Sequence, residues 1–68
     1  MNRDAFFRLY PNLPIAIRRE TVVVLDKVGP VSWEIAFKEI NAGTDLGNVI
    51  LEKLFELGIL HDEQDQHE

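Results

Sequence analysis

Between Val28 and Leu60 the chain alternates stop signals with helical stripes, and this ordering constrains the fold more than any other feature. Gly29-Pro30 is a firm break. Ser32 then stands where an N-cap belongs, with Glu34 in the first turn, where negative charge suits the helix dipole. Trp33, Ala36, Phe37 and Ile40 follow at i, i+3, i+4, i+7, the buried stripe of a helix ending near Asn41. Asn41-Ala42-Gly43-Thr44 reads as a turn, with Gly43 free to adopt a left-handed conformation and Thr44 able to cap what comes next. The next helix is expected from Asp45 to about Leu57, stopped by Gly58, with Ile59-Leu60 as a stub of strand.

The first half is less sharply patterned. Asn2 is placed to cap a short helix reaching Tyr10, with Ala5, Phe6, Leu9 and Tyr10 on one face. Pro11 ends it, and Pro11-Asn12-Leu13-Pro14 forms a turn. From Pro14 the positions Ile17, Thr21, Val24 and Val28 recur at helical spacing. The β-branched run from Thr21 to Val24 pulls the other way, since such residues lose rotamer freedom in helices and are enriched in strands. Helix is the expectation for Thr21–Leu25, because the apolar positions continue to Val28 without a turn signal. The expected fold is therefore all-α. A three-helix core spans 14–60, a short N-terminal helix or arm spans 1–13, and an acidic, disordered tail spans 61–68.

At 68 residues there is room for one small core, and a chain of this length buries only about 60% of the surface its unfolded form exposes. Cysteine is absent, which removes disulfide staples and thiolate metal sites. With 46% apolar residues the composition suits a globular domain, while the longest apolar runs fall far short of a bilayer span. No signal-like hydrophobic region follows Asn2-Arg3-Asp4, so a soluble cytoplasmic protein is expected, with no membrane partner. The net charge of −5 divides unevenly: +2 over residues 1–28, −3 over 29–60 and −4 over 61–68.

The Gly29-Pro30-Val31-Ser32 segment, Glu34-Ile35-Ala36, the Gly43-Thr44 turn and the Leu54…Leu57-Gly58-Ile59-Leu60 exit together resemble the winged-helix branch of the helix-turn-helix superfamily, over roughly residues 14–60. That resemblance implies a reading helix presented to DNA, followed by a two-stranded wing. The sequence departs from it in three ways. Only Ile59-Leu60-His61 is available for a strand after the last helix, so the wing is rudimentary or absent. Around that helix Lys53 is the one cation against Asp45, Glu52 and Glu56, whereas DNA affinity rests on Lys and Arg neutralising phosphates. Its opening turns offer Thr44, Asp45, Leu46, Gly47, Asn48 and Val49, of which only Thr44 and Asn48 suit base edges.

The last helix also carries more hydrophobic surface than one face can hold. Asp45, Asn48, Glu52 and Glu56 share one narrow arc, and Leu46, Val49, Ile50, Leu51, Leu54, Phe55 and Leu57 spread over most of the rest. The leading expectation is a non-catalytic protein–protein interaction or assembly module that self-associates. Phe6, Phe7, Leu9, Tyr10, Val49 and Phe55 are its contact residues, and a protein partner or a homodimer covers the surplus. Two folds of the N-terminal aromatics compete on even terms: a dimerisation arm, or a helix folded back on its own core. Trp33 is better placed as core lining than as an exposed anchor.

The alternative is a small DNA-binding transcriptional regulator, with Arg18, Arg19 and Lys53 on phosphates and Thr44 and Asn48 on bases. No enzyme is expected. Ser32 and Thr44 serve as caps, both histidines sit in the tail, and Gly29, Gly43, Gly47 and Gly58 are too dispersed for a phosphate loop. No cofactor and no metal are expected either. His61 and His67 with Asp62, Glu63 and Asp65 lack the rigid spacing that zinc needs.

Overall fold

A computed structural model describes residues 3–61. The chain runs through α1 (Asp4–Leu9), a 3-10 turn at Tyr10–Asn12, the single-turn α2 (Ile15–Arg18), the strands β1 (Thr21–Leu25) and β2 (Gly29–Ser32), then α3 (Trp33–Ala42) and α4 (Asp45–Glu56). The architecture is α+β. The all-α expectation is corrected at one place: the helix drawn from Pro14 to Val28 is one turn of helix followed by the first strand of a hairpin.

Local chemistry accounts for this. Thr21-Val22-Val23-Val24 is stiff at χ1 and packs well on a pleated surface. Gly29 takes φ +94°, a conformation open to glycine, and lets the chain reverse after Asp26-Lys27-Val28. Antiparallel pairing sets Thr21 opposite Ser32, Val23 opposite Val31, Val24 opposite Pro30 and Leu25 opposite Gly29, with a bulge between Thr21 and Val23. The helical stripe is thereby inverted. Val23 and Leu25 are buried, while Val24 and Val28, assigned to that stripe, are exposed.

The two long helices follow the sequence closely. Ser32 caps α3 by accepting from the Ile35 amide at 3.1 Å, and Gly43 closes it at φ +72°. Thr44 Oγ1 then accepts from the Gly47 amide at 2.9 Å and donates to Glu39 Oε1 at 2.7 Å, fastening the start of α4 to the end of α3. Gly47 makes the crossing close. A Cβ there would lie 2.6 Å from the Glu39 carbonyl carbon and 2.8 Å from the Ile40 nitrogen, so no side chain fits. After Glu56 the chain turns through Gly58, and the Ile59 and Leu60 amides both donate back to the Leu54 carbonyl. Leu60 is buried by this C-cap. The strand stub expected at Ile59-Leu60 does not form, and among the described residues the sheet is the hairpin ahead of α3.

One core draws on α1, the hairpin, α3, α4 and the turn after α4: Phe6, Val23, Leu25, Val31, Ala36, Ile40, Ile50, Leu51, Leu54 and Leu60. Ile50, Leu51 and Leu54 supply the inner face of α4, and Val23, Leu25 and Val31 supply the inner face of the hairpin. The acidic tail beyond His61 lies outside the described residues.

Candidate functional site

The apolar residues outside the core fall into two groups with different fates. The first is aromatic. Phe6 is fully buried and stacks on Tyr10 (5.8 Å between centroids) and Trp33 (6.2 Å), with Phe7 edge-on at 5.9 Å. Phe37 of α3 completes the cluster, stacked on Tyr10 at 4.6 Å and edge-on to Phe7 at 5.9 Å. The Arg18 guanidinium lies 4.8 Å over the Tyr10 ring and donates to the Pro11 carbonyl at 3.1 Å. Arg3 donates to the Ile40 carbonyl at 3.2 Å, near the C-terminal end of α3 where positive charge suits the dipole. The N-terminal segment is folded back onto its own chain. Of the proposed arm residues Phe6 is sealed, and Phe7, Leu9 and Tyr10 keep partial exposure while packing against the core.

The second group stays open. Val24 is 63% exposed, Val28 53% and Val49 49%, and all three line one groove together with Leu25, Asp26, Lys27, Leu46 and Lys53. The groove holds about 400 Å³ and lies between the β1 side of the hairpin and the Leu46, Val49 and Lys53 side of α4. No residue of β2 contributes to it. Its charged lining is Asp26, Lys27 and Lys53, the last in a weak exposed pair with Glu56 at 3.5 Å. Ile15, Ile35 and Leu57 are also exposed but do not line it.

The hairpin's backbone adds a second property. Pro30 has no N–H, so its pairing with Val24 is a non-hydrogen-bonded one. The ladder bonds fall at Val23–Val31 and Leu25–Gly29. In such a pair the N–H and C=O of Val24 point away from β2, toward the outer edge of β1. The two edges of the hairpin therefore differ. Pro30 deprives the β2 edge of a donor, whereas β1 offers both a donor and an acceptor beside an apolar groove.

Two of the residues named for DNA contact are committed elsewhere. Arg18 is held by Tyr10 and Pro11 and Thr44 by Glu39 and Gly47, while Lys53 makes only the weak exposed pair with Glu56. Arg19 and Asn48 are exposed. Among the partner-contact residues Val49 faces the groove, and Phe55 is half-buried against the core. Val24 and Val28 were missed by sequence reasoning because helical spacing had placed them inside. The signal available was the β-branched run followed by glycine. Among the described residues no three His, Asp or Glu side chains stand together as metal ligands, and no helix is long and apolar enough to cross a membrane.

Comparison with protein-family models, curated proteins and solved structures finds no match for this chain.

Proposed function

We propose that this chain is a non-catalytic protein–protein interaction module that self-associates through the face formed by β1, the hairpin turn and α4. The observation that carries the reading is the convergence of Val24, Val28 and Val49 on one open groove, all about half exposed or more. Isolated exposed valines need no explanation, but three around a concavity form a patch of the kind that marks interaction sites. The lining charges Asp26, Lys27 and Lys53, with Glu56 beside Lys53, suit a partner without strong charge. A polyanion such as DNA finds no cluster of free cations there. The α3–turn–α4 order supports the helix-turn-helix part of the winged-helix resemblance. The hairpin lies before α3, not after the last helix as in a wing.

Sedimentation equilibrium over micromolar concentrations tests this directly. The expected result is reversible self-association, weakened by Val49→Asp, together with no salt-sensitive binding of a labelled DNA duplex. A strict monomer contradicts the reading, and so does DNA binding that weakens steeply as salt rises.

A further inference from the structure

We draw no further inference here: the strongest candidate, the outer edge of β1 at Val24 beside the apolar groove between β1 and α4, belongs to the face already described, and nothing in the structure shows what covers it.

Discussion

The two apolar clusters outside the central core make an instructive contrast. On the α1 side, five aromatic rings and an arginine close over one another until Phe6 has no exposed surface. On the β1–α4 side, three valines remain about half exposed or more around an open groove. Size decides the difference. Large flat side chains reach across the gap between a short helix and α3, so the N-terminal segment can satisfy itself. Valines on a hairpin turn and on α4 cannot bridge the space between those elements, and no further segment of the described chain is laid over them. An apolar surplus of similar character therefore becomes fold on one side and contact surface on the other.

The strongest way to break the contrast is to open the closed side. Phe6→Ala removes a fully buried ring and is expected to cost about 4 kcal/mol in urea denaturation, a large fraction of the stability of so small a domain. The joint common to both sides comes next. Gly47→Ala forces a methyl against the Glu39 and Ile40 backbone and is expected to cost about 2–3 kcal/mol, with the loss visible in thermal melts followed by circular dichroism. Thr44→Ala leaves the space unchanged but removes the α4 cap and its bond to Glu39, for about 1 kcal/mol. At the open side the expectation reverses: Val28→Ser should leave monomer stability within about 0.5 kcal/mol while weakening self-association. A Val28→Ser variant as destabilised as Phe6→Ala would erase the distinction between the two sides.

Much of this fold can be read from the sequence, because capping and stripe signals agree for α3 and α4. Ser32, Gly43 and Thr44 act where local chemistry places them, and the helices end within a residue or so of expectation. The hairpin is harder to read for a definite reason. Ile17, Thr21, Val24 and Val28 happen to follow a helical period, while the alternation that matters involves Val23 and Leu25. Gly29-Pro30 reads as a break in either case; in the structure it opens β2, with proline tolerated because its nitrogen faces outward. The candidate site inherits this ambiguity. Val49 stood out as surplus on α4, yet Val24 and Val28 become visible as surface only once Thr21–Leu25 is a strand. The N-terminal aromatics were balanced between arm and core, and the match of Phe6 to Trp33 and of Tyr10 to Phe37, which a linear pattern does not encode, gives Phe6 to the core.

The account rests on the open side being where copies of this chain meet. A dilution series of amide chemical shifts on the isotopically labelled chain tests it most directly. The predicted result is concentration-dependent shifts at Val24, Val28 and Val49, with Phe6, Trp33 and Phe37 unmoved. Shifts confined to the α1 aromatics, or spectra identical at every concentration, would contradict it.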